Sequence, residues 1–72
     1  MKEFAKPFRV TFDTGTDAAY IYLRDIAGGG VKRTIEVELP NGNVNLDFDS
    51  EGRMVGIEVL GACDVLPEGF VP

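Results

Sequence analysis

Apolar and polar residues alternate with a period of two along most of this chain. Phe8, Val10 and Phe12 interleave with Arg9, Thr11 and Asp13, the pattern of a strand with one face turned from water. Thr14-Gly15-Thr16-Asp17 reads as a turn. Ala18 to Arg24 (AAYIYLR) is rich in aromatic and β-branched residues and apolar on both sides. It predicts an interior strand, with Ala19, Ile21 and Leu23 on one face and Tyr20 and Tyr22 on the other. A helix is the alternative for this segment, but seven residues are short for one. Gly28-Gly29-Gly30 is a flexible connection. Val31, Arg33, Ile35, Val37 and Leu39 then alternate with Lys32, Thr34, Glu36 and Glu38, up to the turn residues Pro40-Asn41-Gly42. Val44, Leu46 and Phe48 alternate with Asn45, Asp47 and Asp49, and a second turn follows at Ser50-Glu51-Gly52-Arg53. Met54 to Leu60 (MVGIEVL) is the last predicted strand. The tail, with Pro67 and Pro72, has room for one helical turn around Ala62 to Leu66.

These elements predict a mainly β fold: a small antiparallel β-meander of about five strands with at most a short C-terminal helical turn. Coincidence of the apolar faces sets the expected register of the last hairpin. Phe48 faces Val55, Leu46 faces Ile57 and Val44 faces Val59, while Asn45 meets Glu58 and Asp47 meets Gly56 on the opposite side. A two-residue turn at Glu51-Gly52 or a four-residue loop gives this register, and a three-residue loop does not. Such a sheet has one apolar face and no long helix to cover it. Either two copies stack, with a dimer favoured, or the sheet curls into a small barrel.

Composition narrows the possibilities. The chain has 72 residues, the length of one small domain, 1–72, and domains of this size bury little of their surface. Its single cysteine, Cys63, excludes an internal disulfide, and the absence of histidine removes the commonest general base and transition-metal ligand. No metal or other cofactor is therefore expected. Twelve acidic and seven basic residues give a net charge of −5, which disfavours nucleic acid and anionic membrane surfaces and would steer a basic protein toward the chain. The N-terminal segment has no long apolar run, and nothing approaches a membrane span of roughly 20 apolar residues. One cysteine and no export signal predict a cytoplasmic protein.

The candidate chemistry is thin. Asp47, Asp49, Glu51, Gly52 and Glu58 fall close to the spacing of a calcium-binding loop. Both flanks are strands, however, and Glu58 lies too far along its strand to close a coordination shell, so an acidic hairpin turn is the simpler reading. Asp13 and Asp17 bracket a turn, where aspartate ordinarily accepts backbone N–H bonds. The Gly-rich segment lacks the Lys-Ser/Thr ending of a phosphate loop. Cys63 has no histidine to activate it and reads as a small packing residue. Arg24, Lys32 and Arg33 are too few for a nucleic-acid patch. Tyr20 and Tyr22 are the best interaction candidates, since tyrosine buries ring area while keeping a polar partner. The alternative is that one is core and the other half-exposed.

The segments Phe12-Asp13 through Asp17-Ala18-Ala19-Tyr20-Ile21-Tyr22-Leu23, and Val44-Asn45-Leu46-Asp47-Phe48-Asp49 through Gly52-Arg53-Met54-Val55-Gly56-Ile57-Glu58-Val59-Leu60, resemble the two halves of a small bacterial family. It is the domain of unknown function 2283, and the resemblance covers roughly residues 8 to 63. Ala19, where a larger apolar residue is usual, and the Gly-rich loop depart from its pattern. The resemblance implies short stand-alone proteins without an established activity, brings no catalytic residues, and implies that some relatives are partners of small toxin-like proteins. The resulting expectation is a non-enzymatic, homo-oligomeric protein-interaction module with a surface formed by Tyr20, Tyr22, Asp47 and Glu58. The alternatives are an antitoxin-like partner of a basic protein, or a small-ligand or metal-binding protein that uses acidic turn residues.

Overall fold

The computed structural model describes residues 1–72. Five strands form where the alternation places them: β1 (Arg9–Asp13), β2 (Ala18–Tyr22), β3 (Arg33–Leu39), β4 (Gly42–Phe48) and β5 (Met54–Leu60). One short helix, α1 (Ala62–Val65), follows. All neighbouring strands are antiparallel. The fold is mainly β, an open five-stranded sheet, and β1 and β3 are its edges, so it does not close into a barrel.

The strand order is β1-β2-β5-β4-β3, which is not that of a simple meander. The hairpin β1-β2 and the meander β3-β4-β5 are joined by residues 23–32, and β5 docks between β2 and β4. The Gly-rich connection carries the chain from β2 to the far edge. Its ends are tied by Leu23 N–H to the Val55 carbonyl at 3.0 Å and Lys32 N–H to the Phe48 carbonyl at 2.8 Å.

The β4-β5 hairpin keeps most of its expected register: Val44 opposite Val59, Asn45 opposite Glu58, Leu46 opposite Ile57 and Asp47 opposite Gly56. The pairing of Phe48 with Val55 is corrected. Phe48 lies opposite Met54, and the register shifts beside Asp47 and Phe48. Asp49 N–H bonds the Arg53 carbonyl at 2.9 Å, so Ser50, Glu51 and Gly52 form a three-residue loop, the length the pattern argument rejects. A bulge explains the difference. Val55 is the extra residue on β5, and it restores the facing of the apolar side chains beyond it. Gly52, with φ 80°, supplies the left-handed residue the loop needs.

Only five of the 72 residues are buried: Ala19, Val55, Gly56, Val59 and Ala62. Ala19, Val59 and Ala62 form the centre of the core, with Phe12, Ile21, Val44, Ile57, Val65, Leu66 and Val71 against it. Helix α1 and the tail thus lie on the apolar face, at the end where Ala18, Leu60 and Asn43 are aligned. Asp17 fixes this placement from the β1-β2 turn. Its carbonyl accepts the N–H groups of Gly61 and Ala62, at 3.1 and 2.9 Å, and its Oδ1 accepts that of Cys63 at 3.1 Å. No helix is long and apolar enough to cross a membrane.

Asp49 Oδ1 accepts the N–H groups of Glu51 at 2.9 Å and Arg53 at 3.0 Å. The Arg53 N–H does most to hold the Asp49 carboxyl below its usual range, with desolvation the main opposing effect. The Glu51 N–H and the charges of Arg24 and Arg53 act in the same direction. A depressed pKa stabilises the fold above the unfolded value near 4 and ceases to do so as pH falls through the folded value. Asp49→Asn should therefore lower the thermal midpoint at pH 7, and the gap to the parent should close as pH is taken from about 5 to about 2. A pH-independent gap in thermal unfolding would exclude a role for the charge.

Candidate functional site

The two faces of the sheet differ in chemistry. The registers place Val10, Phe12, Ala19, Ile21, Ile57, Val59, Val44, Leu46, Ile35, Val37 and Leu39 on one face. The other face carries Arg9, Thr11 and Asp13 of β1, Tyr20 and Tyr22 of β2, Gly56 and Glu58 of β5, Asn43, Asn45 and Asp47 of β4, and Thr34, Glu36 and Glu38 of β3. All four residues singled out from the sequence, Tyr20, Tyr22, Asp47 and Glu58, lie on this second face.

Of the four, Tyr20 and Asp47 are hydrogen-bonded to each other. The Tyr20 hydroxyl donates to Asp47 Oδ2 at 2.6 Å, and the Thr34 hydroxyl donates to Asp47 Oδ1 at 2.6 Å. Tyr20 is on β2 and Asp47 on β4, so the ring must cross β5. It does so above Gly56, where a Cβ would run into the Tyr20 hydroxyl and ring. Glu58, opposite Tyr20, accepts from Asn45 Nδ2 at 2.9 Å, and Glu36 accepts from Asn43 Nδ2 at 3.2 Å. Tyr22 meets the Tyr20 ring edge-on with centroids 4.7 Å apart, and the Arg9 guanidinium lies 3.8 Å over the Tyr22 ring. A polar layer therefore runs from β1 to β3.

The charge on this face is one-sided. Asp13, Glu36, Glu38, Asp47 and Glu58 stand against Arg9 alone, a balance of −4 out of the chain's −5. The Arg24–Asp49 ion pair, at 3.7 Å, lies just beyond the ends of β2 and β4. Burial, reinforced by the hydrogen bond and negative charge of Asp47, pushes the Tyr20 hydroxyl well above the usual tyrosine range; Tyr22 and Glu58 add to the effect.

The other candidates have local duties. Asp13 Oδ1 accepts the Gly15 N–H at 2.8 Å, while Asp17 anchors α1, so the two carboxylates do not share a site. Asp49 and Glu51 are in the β4-β5 turn, and Glu58 is paired with Asn45 further along the hairpin. No three His, Cys, Asp or Glu side chains converge in a metal-holding group. Cys63 is exposed, and hydrogen bonding to Asp17, desolvation and the charges of Asp17 and Asp64 push its thiol pKa upward. Sequence reasoning missed Thr34, the space above Gly56 and the anchoring role of Asp17. The signal for Gly56 was present: a lone glycine inside a strand marks a bulge or a close approach.

The family model described as "Protein of unknown function (DUF2283)" matches residues 9–62. The chain belongs to this family. The DUF2283 match runs from the first residue of β1 to the first of α1, one residue inside the expected span at each end. Tyr20, Thr34, Asp47, Gly56 and Glu58 all fall within it. No curated protein and no solved structure matches this DUF2283 chain.

Two substitutions test the crossing over Gly56. Gly56→Ala should cost about 1–3 kcal/mol in denaturant unfolding, and most of that cost should vanish in a Tyr20→Ala background. An additive pair would show that the clash is not with Tyr20. Tyr20→Phe should cost roughly 1 kcal/mol, the scale of one partly exposed bond to a carboxylate. The raised tyrosine pKa adds a pH signature. Its stabilisation is complete below the unfolded value near 10 and is lost as pH rises above it, so Tyr20→Phe should be the less alkali-sensitive protein in a comparison of denaturant midpoints.

Proposed function

We propose that this chain is a non-enzymatic protein-interaction module of the cytoplasm that works as a homo-oligomer, most simply a dimer, through the apolar face of its sheet. The observation that carries the reading is the exposure of that face. Val10, Ile35, Val37, Leu39 and Met54 remain between 37 and 40% exposed, because α1 and the tail cover only one end. Seven-residue strands rising about 3.3 Å per residue, with four inter-strand gaps of about 4.8 Å, give a footprint on the order of 400 Å² per copy. Because α1 and the tail already cover one end of that footprint, an interface of the roughly 1,000 Å² that specific association requires must include them as well as the open sheet. Stacked sheets are the ordinary way of covering such a face.

The exposed edge of β3 is a poorer surface for self-association. Antiparallel pairing of two copies about Glu36 or Val37 sets Glu36 against Glu36 or Glu38 of the second copy, and facing like charges destabilise a ladder. The chemistry at hand also favours binding over catalysis: the carboxylates of the polar layer accept bonds from neighbouring side chains, and the pKa of the Cys63 thiol is pushed upward rather than down.

The charge balance of −4 on the polar face supports a second role, docking of a basic protein there, as in an antitoxin-like pair. The two roles use opposite faces and are compatible.

Sedimentation equilibrium tests the first reading. The parent should be dimeric at micromolar concentration. Val37→Glu places a carboxylate in the interface and should weaken association at least tenfold while leaving the far-UV spectrum intact. A monomeric parent, or a Val37→Glu dimer of unchanged affinity, would exclude the apolar face. The second reading predicts that a stoichiometric host partner is retained by Val37→Glu but released by salt and by Glu36→Gln/Glu38→Gln.

A further inference from the structure

We infer that the edge of β3 takes up an extended segment of a partner protein as an added strand, and that this segment alternates basic with apolar residues. The inference deepens the docking of a basic protein proposed above and rests on it. It adds the place, the backbone contact and the sequence pattern of the partner.

The backbone supplies the first half of the site. β3 is an end strand of the sheet, and all seven of its residues are exposed. The two-residue turn Pro40-Asn41 makes Leu39 and Gly42 the closing pair of the β3-β4 hairpin, and such a pair exchanges both of its backbone bonds. The bonds alternate from there, so Ile35, Val37 and Leu39 turn their N–H and C=O groups toward β4. The far side of the sheet gives the same phase. Leu23 N–H bonds the Val55 carbonyl, which turns Ile57 and Val59 toward β2 and leaves Gly56, Glu58 and Leu60 to bond β4. Thr34, Glu36 and Glu38 therefore direct their backbone N–H and C=O groups outward, where no strand receives them. Neither a proline nor a register shift interrupts β3.

The side chains supply the second half. Thr34, Glu36 and Glu38 stand on the polar face, while Ile35, Val37 and Leu39 stand on the other and remain 37 to 40% exposed. Glu36 accepts one bond, from Asn43 at 3.2 Å, and neither glutamate is ion-paired. A strand added here sets alternate side chains beside the glutamates and the intervening ones beside the aliphatic residues. Lysine or arginine matches the first set, and valine, isoleucine or leucine the second. The edge at β1 lacks this character: it has five residues, and Arg9 and Asp13 cancel on its polar side. A second copy of β3 meets facing glutamates, so the charges that oppose self-pairing select a basic segment.

The probe is a short peptide of alternating lysine and valine, capped at both ends, with two further versions N-methylated on the lysine amides or on the valine amides. N-methylation removes donors from one edge of the peptide and leaves its charge and side chains in place. The unmethylated peptide should bind, slow the amide hydrogen exchange of Glu36 and Glu38, and lose affinity with added salt and in Glu36→Gln/Glu38→Gln. One methylated version should bind at least about tenfold more weakly and the other within about threefold of the parent peptide. The lysine set is the sensitive one for an antiparallel added strand, the valine set for a parallel one. A loss shared equally by both versions, or no loss in either, would overturn strand addition, and salt-sensitive binding would then leave the charged docking in place. Binding indifferent to salt and to the double variant would overturn the charged docking itself, and the proposal with it. Failure of the unmethylated peptide to bind would overturn the proposal alone, since release of the host partner by Glu36→Gln/Glu38→Gln tests the docking separately.

Discussion

The hydrogen bond from Tyr20 to Asp47 crosses a whole strand, and the arrangement of the sheet follows from it. A side chain on β2 can reach a carboxylate on β4 only if the strand between them leaves a gap, and Gly56 leaves it. The bond therefore fixes three strands at once: β5 must lie between β2 and β4, with Gly56 opposite both Tyr22 and Asp47. Thr34 extends the same contact to the β3 edge, and the stacking of Tyr22 with Arg9 extends it to β1. A polar layer thus does for one face what a helix layer does in larger folds. It specifies which strands are neighbours, and its buried oxygen atoms all have partners.

The cost of this design falls on the other face. All the strands' apolar side chains are sent to one side, and a chain this short has only a four-residue helix and a tail to put there. Three of the five buried residues, Ala19, Val59 and Ala62, cluster at α1, and the large aliphatic side chains of β3 stay in contact with water. The sheet thus has one polar face whose side chains are hydrogen-bonded to one another and one apolar face partly open to water, with most of the net charge on the polar one.

Much of the architecture was legible because a two-residue period reports directly which face a side chain occupies. The five strands, the helical turn and the pairing of Leu46 with Ile57 and of Asn45 with Glu58 could all be read this way. The same period says nothing about which strands are adjacent when they are distant in sequence. Tyr20 and Asp47 are 27 residues apart, and no local signal links them, so the insertion of β5 beside β2 was not readable. Anchoring of α1 by Asp17 was hidden for the same reason, since the contact to Cys63 spans 46 residues. The acidic and aromatic character of the polar face was visible, because it depends only on residue type and parity. The bulge at Val55 was not, because a pattern argument assumes an unbroken ladder.

That bulge has an evolutionary consequence. The three-residue turn alone would throw every side chain of β5 beyond it onto the wrong face, and the extra residue at Val55 reverses the error. At the present spacing of Asp47 and Gly56 neither feature is tolerable without the other. Loss of one residue from the loop can be taken up by loss of the bulge, because the seven residues left between Asp47 and Gly56 still make two facing pairs and a three-residue loop, and Gly56 keeps its place beneath the Tyr20 ring. Loop and bulge thus act as a pair, in which a change of length at one is absorbed at the other. The spacing between Asp47 and Gly56 can therefore change by a single residue without turning the side chains of β5 to the wrong face.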